Sequence, residues 1–242
     1  MDITNRTVFI AGGTSGIGLG LARRFAAAGS TVVVGGRRTG PIDGLTTVEV
    51  DVTDPQSVEK ARDQVLADHP GLDVVVTMAG VMLTEDLRDP AHFAAAETTI
   101  STNVLGTIRV IDAFTAHLIG RGNGAIITVS SGIGFLPFPL MPTYAASKAA
   151  VHAYSEALRA QLDGTGIEVA ELVPPAVATT QANSNALPLD DFLDEVTGLL
   201  SEQPTPHEIL VKGVLMHRWA ERDGTYADLV AQRSKPLASR IK

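Results

Sequence analysis

The sequence predicts an α/β protein: a doubly wound parallel sheet of about seven strands with helices on both faces. Three observations carry that expectation. Short β-branched runs alternate with Ala- and Leu-rich stretches of helical period along the 242 residues. Several runs are apolar throughout, as in Val32-Val33-Val34 and Val74-Val75-Val76, which suits strands covered on both faces. The first run ends in a glycine-rich turn that opens directly into a helical stretch. Such alternation calls for right-handed crossovers between parallel neighbours.

Taken in order, strands are expected at Thr7–Ala11, Thr31–Gly35, Thr46–Val50, Asp73–Thr77, Ala125–Ser130, Ile167–Val173 and Glu208–Val211. The helical patterns between them cover Ile17–Ala28, Pro55–Asp68, Ala91–Ile119 and Thr143–Leu162. One crossover is too short for a helix. Between the second and third strands, Arg37 to Leu45 contains Gly40, Pro41 and Gly44, so a loop or single turn is expected. No repeat, linker or low-complexity segment splits the chain, and residues 1–242 read as one domain.

Composition narrows the chemistry. The net charge of −8 and the absence of Lys/Arg blocks weigh against nucleic-acid and anionic-membrane partners. With no Cys, thiolate nucleophiles and Cys-ligated metal centres are excluded. The start of the chain carries no basic segment followed by a long apolar one. The most apolar window, Gly71 to Leu83, contains Asp73 and is too short to span a bilayer. A cytoplasmic protein is expected.

The first turn reads Ala11-Gly12-Gly13-Thr14-Ser15-Gly16-Ile17-Gly18. Glycines at 12, 16 and 18 allow a tight turn and a close backbone approach to a pyrophosphate, with amides aimed at it from a helix N-terminus. A plain Gly-rich turn after a buried strand is the alternative. The end of the second strand chooses between cofactors: a carboxylate there would hold the ribose hydroxyl of NAD, an Arg the extra phosphate of NADP. The chain offers Gly35-Gly36-Arg37-Arg38 and no carboxylate. Arg37 and Arg38 therefore favour NADP(H) over NAD(H).

Downstream, Tyr144 and Lys148 stand four apart in a helical stretch, on one face of the helix. A phenol titrates near pKa 10, and a neighbouring ammonium lowers that value toward useful acid–base chemistry. Ser131 closes the fifth strand, where its hydroxyl is placed to hold a substrate oxygen beside the phenol. Alone, a Tyr-x-x-x-Lys pair is usually a surface feature. After a strand ending Val129-Ser130-Ser131, and with the glycine turn upstream, it is far more specific.

With these motifs in place the sequence resembles the short-chain dehydrogenase/reductase family in its compact form of roughly 250 residues. The resemblance runs from about Thr7 to Thr180, through Gly12–Gly18, Asp51-Val52, Ala79-Gly80, Asn103 in Asn-Val-Leu-Gly, Ser131, Tyr144/Lys148 and Pro174 to Thr179. The tail, Gln203-Pro-Thr-Pro-His-Glu-Ile-Leu-Val and then Trp-Ala-Glu-Arg-Asp-Gly, resembles a branch labelled for D-alanyl esterification of teichoic acids.

The resemblance implies a catalytic tetrad. Tyr144 would be the acid/base, and Lys148 would lower its pKa and bind the nicotinamide ribose. Ser131 would orient the substrate carbonyl, and Asn103 would hold a water linking Lys148 to solvent. Around the cofactor, the glycine turn with Thr14, Ser15 and Ile17 would bind phosphate. Asp51 and Val52 would meet the adenine, with Ala79 and Gly80 nearby, and Pro174, Val177 and Thr179 would lie at the nicotinamide end. The implied activity is hydride transfer between NADP(H) and a carbonyl or secondary alcohol. A catalytically silent NADP(H) sensor or scaffold of the same fold is the alternative.

Three positions depart from the family pattern: Ala11 for Thr, Met78 for Asn and Pro175 for Gly. Losing both polar partners of a buried hydrogen bond is nearly neutral, so Ala11 and Met78 are expected to touch across the sheet. Pro175 removes an amide donor and stiffens the loop.

Phe135 to Pro142 lies in the loop that runs from Ser131 to Tyr144. Its apolar side chains either wall the substrate pocket or pack against helices or a second subunit. Residues 181–206 are expected to form a substrate lid, with an ordinary amphipathic helix as the alternative. Phe93, Ile100, Val104, Ile108 and Ile111 form a stripe that either covers the sheet or, as the resemblance implies, joins subunits of a homodimer or homotetramer. His69, His92, His117, His152, His207 and His217 lack metal-ligand spacing, and no metal is expected.

Overall fold

The valine-rich runs become the centre of the sheet. The computed structural model describes residues 1–179 and 186–240. Six strands, β1 (Thr7–Ala11), β2 (Thr31–Gly36), β3 (Thr46–Glu49), β4 (Val74–Thr77), β5 (Gly124–Val129) and β6 (Ile167–Leu172), are flanked by short ones. These are β7 (Val177–Ala178) and β8 (Leu187–Pro188), which pair with each other, and β9 (Glu208–Ile209). The main sheet has seven parallel strands in the order β3-β2-β1-β4-β5-β6-β9. Strand order reverses between β1 and β4, so a crevice opens at the carboxyl ends of these two strands.

Helices cover both faces: α1 (Gly16–Ala27), α2 (Pro55–Asp68), α3 (Phe93–Ile100), α4 (Gly106–Arg121), α5 (Gly132–Phe135) and α6 (Pro142–Gln161). They are followed by α7 (Leu189–Leu200), α8 (Leu215–Arg218) and α9 (Tyr226–Arg240). Asp54 caps α2 by accepting from the Gln56 amide, with Pro55 in the first turn where its missing N–H costs nothing. Between Arg37 and Leu45 only an isolated Ile42–Leu45 bridge forms, as the short spacing requires. No helix among the described residues is long and apolar enough to cross a membrane.

The two sheet faces bury separate cores. One gathers Ile10, Val34, Val76, Leu21, Phe25 and Phe192, the other Phe9, Val33, Val75, Ile111 and Leu118, with the Phe9 and Phe114 rings 5.0 Å apart. This alternation corrects the expected Ala11–Met78 contact. Ala11 belongs to the second core, whereas Met78 packs against the first. Ala11 is in register with Thr77, so Met78, one residue further, turns to the opposite face. The strands are tied there by backbone instead, the Met78 amide donating to the Ala11 carbonyl at 2.9 Å.

The expected helix over Ala91–Ile119 is also subdivided. A 3-10 turn at Pro90–His92 leads into α3, and a π turn at Ser101–Leu105 joins α3 to α4. The π turn adds a residue to one turn, and with a single buried side chain, Asn103, in that stretch the offset leaves little apolar signal in the sequence. Such turns gather at functional sites, and this one holds Asn103.

Candidate active site

At the carboxyl ends of β1, β4 and β5 lies a cavity of ≈ 790 Å³. Its wall includes Gly12, Thr14, Ser15, Gly16, Ile17, Gly18, Arg37, Asp51, Val52, Ala79 and Gly80, together with Ser131, Tyr144, Lys148, Pro174, Val177 and Thr179. Arg38 lines an adjoining depression shared with Thr14, Ser15 and Arg37. Asn103 is fully buried behind Gly80 rather than on the wall.

The glycine turn has the form of a cradle. Gly12 has φ +88°, and a Cβ placed on it would fall 2.5 Å from the Ala79 nitrogen. A Cβ on Gly18 would fall 2.3 Å from the Gly12 carbonyl oxygen. Only glycine allows backbone to approach this closely. The same absence of side chains leaves the N-terminus of α1 open to an anionic ligand. These residues fit the diphosphate of a dinucleotide.

Arg37 and Arg38 are exposed at the end of β2, and neither forms an ion pair with any described carboxylate. Asp51 accepts from the Thr53 amide at 2.9 Å and from its hydroxyl at 2.7 Å. These bonds, with Arg37 nearby, hold its carboxyl below the usual range.

Ser131 sits at the N-cap of α5, its hydroxyl donating to the Pro174 carbonyl at 3.3 Å. Tyr144 and Lys148 project from the first turns of α6, with Lys148 Nζ 5.7 Å from the phenol ring centre. Lys148 is 6% exposed and donates to the Val129 carbonyl at 2.8 Å. Burial pushes its ammonium down to about 8, opposed by the nearby Glu171. Tyr144 behaves differently from the expectation. Burial raises the phenol above its ordinary value, and the Ser131 hydroxyl beside it pulls only partly back. At neutral pH the phenol is therefore protonated.

Asn103 Oδ1 accepts from the Val81 amide at 2.8 Å, and Nδ2 donates to the Val81 carbonyl and the Ser147 hydroxyl. It thus bolts the π turn both to the strand end carrying Gly80 and to α6. A side chain at Gly80 would lie 3.3 Å from Asn103 Oδ1 and 3.9 Å from Lys148 Nζ, which places the amide beside the lysine.

Several residues that shape the site carry no local sequence signal. Glu85 accepts from the Thr143 amide and hydroxyl at 3.0 and 2.8 Å, fixing the first turn of α6 that carries Tyr144. The buried Glu171 accepts from the Ser130 hydroxyl and pairs with His152 Nδ1 at 2.8 Å. Glu208, held by Arg218 at 2.7 Å, completes a cluster in which His152, Glu171 and Glu208 lie within 4.8 Å of one another. Histidine spacing along the chain could not have shown this group, because β6 and β9 bring the acids to α6. His217 and Arg233 also line the cavity.

The loop after α5 divides its apolar side chains. Phe138 and Met141 line the cavity, while Leu136 is buried and the Phe135 ring packs edge-on to His152 at 4.7 Å. Of the expected lid, residues 181–185 lie outside the described ones, and Leu189–Leu200 forms α7. Phe192, Leu193, Val196 and Leu200 on α7 are buried in the core, as in a packed amphipathic helix. The expected stripe divides too: Ile111 is buried under the sheet, whereas Phe93 is 66% exposed and Ile100 is exposed beside it.

The His152–Glu171 pair gives a stability signature. Glu171 raises the His152 pKa above 6.5, with Glu156 and Glu208 adding to the effect and burial opposing it. A raised folded value stabilises fully below the unfolded pKa and is lost as pH rises through the folded one. Lys148 acts in the opposite sense between about 8 and 10.5. The melting temperature is expected to decline just above pH 6.5 before the Lys148 contribution sets in, and His152→Gln should flatten that decline. Melting curves of both proteins across this range check it; parallel pH profiles would contradict the assignment.

Comparison with known proteins follows the same geometry. Residues 6–188 match the family model described as short chain dehydrogenase. The chain is 35% identical over 187 residues to the uncharacterized oxidoreductase DltE of Bacillus subtilis, covering 74% of each. It is 30% identical over 213 residues to the NADP-dependent 3-hydroxy acid dehydrogenase YdfG of Escherichia coli, covering 84% of this chain and 85% of that one. A short chain dehydrogenase from Burkholderia cenocepacia, solved in complex with NADP, shares the fold. Its TM-score is 0.82 at 22% identity, covering 95% of this chain and 99% of its own.

Proposed function

Because the chain belongs to the short chain dehydrogenase family, and so is a hydride-transfer oxidoreductase using a nicotinamide cofactor, we propose that it is an NADPH-dependent carbonyl reductase. The observation that carries this reading is the single cavity shared by the glycine cradle and by Ser131, Tyr144 and Lys148. When bound, the cofactor supplies the hydride for the carbonyl carbon. Ser131 donates a hydrogen bond to the carbonyl oxygen, and Tyr144 protonates that oxygen as negative charge develops on it. A buried, protonated phenol suits the reductive direction, where the group must begin as an acid. The Lys148 ammonium stabilises the phenolate left behind, and Asn103 holds the π turn through which a water reaches Lys148.

NADPH is favoured over NADH by Arg37 and Arg38, which have no described carboxylate partner and border the depression next to the cradle. The identification of one 30%-identical relative as NADP-dependent supports the same choice. Replacing both with Ser is expected to raise KM for NADPH about 10- to 100-fold, leaving NADH kinetics within about threefold. Steady-state kinetics with both cofactors check this; a wild-type protein more efficient with NADH would contradict it.

The reading extends to assembly and place. The exposed Phe93 and Ile100 of α3 and Leu105 of the π turn support a homodimer or homotetramer built on the α3–α4 stretch. The enzyme is cytoplasmic, and residues 1–242 act as one domain. The test of the activity itself is NADPH oxidation against a panel of ketones and aldehydes. Turnover is expected with at least one carbonyl class and none without a carbonyl.

A further inference from the structure

Beyond Ser131 and Tyr144 the cavity is finished by two side chains outside the family match, His217 from α8 and Arg233 from α9. Arg233 Nη1 donates to the Leu136 carbonyl at 2.6 Å, and Nη2 to Nε2 of His217. Two of its five N–H groups are thereby used, leaving the rest of the fork available. No described carboxylate opposes the guanidinium, and burial alone acts on its pKa, pushing it down. The half-buried guanidinium therefore faces the cavity with unused N–H donors and no described counter-charge.

His217 fixes where that cation stands. Burial and the adjacent guanidinium push its imidazole down to about 4, so near neutrality it is an uncharged acceptor for Arg233. Its Nδ1 is buried with no partner among the described residues. A Cβ on Gly132 would lie 3.0 Å from that nitrogen, so the pair packs directly against the residue following Ser131. Among the described residues the one carboxylate lining the cavity, Asp51, stands near Arg37 at the cradle side. The other charged groups on the wall, Arg37, Lys148 and Arg233, are all cationic, and Arg233 stands with His217 against Gly132, the residue after Ser131.

We propose that the substrate is an oxo acid, a carbonyl compound whose own carboxylate pairs with the Arg233 fork while its carbonyl lies at Ser131 and Tyr144. His217 is a positioning residue that holds the fork. Planar carboxylate and guanidinium match in shape, and the pairing neutralises the cation on the cavity wall. The inference rests on the reductase reading of the same cavity.

The test uses oxo acids of increasing length, each beside its neutral methyl ester, in NADPH oxidation by the wild type, Arg233→Gln and Arg233→Lys. For the best acid, kcat/KM is expected to exceed that of its ester by about 100-fold. Arg233→Gln should erase the difference by lowering kcat/KM far more for the acid than for its ester, and Arg233→Lys should recover part of it. No preference in the wild type, or equal losses on acid and ester, would overturn the proposal and leave Arg233 as a brace for Leu136. A second readout separates this from the reductase reading: malonate titrated calorimetrically into the protein–NADP⁺ complex. Malonate binding weakened at least about tenfold by Arg233→Gln, at unchanged NADP⁺ affinity, supports the carboxylate site even if no carbonyl is reduced. Absence of malonate binding alongside turnover of neutral ketones would overturn the site and leave the reductase standing.

Discussion

Tyr144→Phe is expected to lower kcat for carbonyl reduction by about 10²- to 10⁴-fold while leaving NADPH affinity within about twofold. The substitution removes one oxygen and its proton. It leaves the ring that occupies the cavity wall and the Lys148 Nζ 5.7 Å from its centre. Ser131 remains to hold the carbonyl oxygen, but no other described group is placed to protonate it, so the loss falls on kcat rather than on binding. Because burial raises the phenol above its ordinary value, the wild-type reductive rate should hold across neutral pH and fall only in alkaline solution. Stopped-flow and steady-state kinetics with a fluorescence titration of NADPH separate the two quantities. A variant that retained turnover would remove Tyr144 from the mechanism.

Gly12→Ala carries the second large effect. At φ +88° an L side chain is strained, and its Cβ would fall 2.5 Å from the Ala79 nitrogen and 2.6 Å from its Cα. These neighbours are backbone at the end of β4, so relief requires moving the strand ends that form the crevice. The expected cost is about 2–4 kcal/mol of stability, with NADPH affinity reduced more than about 100-fold. Gly198→Ala is the matched control. It lies in α7 with nothing near its added methyl, so it should stabilise by about 0.5–1 kcal/mol. Urea denaturation and cofactor titration of both variants check the contrast.

What the sequence made legible follows from which constraints are local. Continuous valine runs announce two-sided burial, and the glycine turn must lie where one strand feeds one helix. Both features were found where the pattern put them. Tyr144 and Lys148 are a helix turn apart, and Ser131 ends the strand before them, so short spacings were enough to group three residues that the structure brings to one cavity wall. Asn103 could not be grouped this way; it is placed by hydrogen bonds to Val81 and Ser147, 22 and 44 residues away along the chain. The Ala11–Met78 expectation failed because the strand register sets the two side chains on opposite faces. Glu85, Glu171 and Arg233 reach the site across 58, 41 and 97 residues to Thr143, Ser130 and Leu136. Pairings at that range depend on how the parallel sheet is ordered, which no short window of sequence encodes.

The proposed reaction moves a hydride in this cavity to a carbonyl carbon with Tyr144 as proton donor. Its most direct measurement is the fate of label from C4-deuterated NADPH, read by mass spectrometry of the alcohol product. One deuterium is expected on the carbinol carbon of the wild-type product, with the labelled alcohol forming about 10²- to 10⁴-fold more slowly with Tyr144→Phe. Tight NADPH binding without any labelled alcohol, across neutral and carboxylate-bearing carbonyls alike, would contradict it and point to a nucleotide-sensing protein on the same fold.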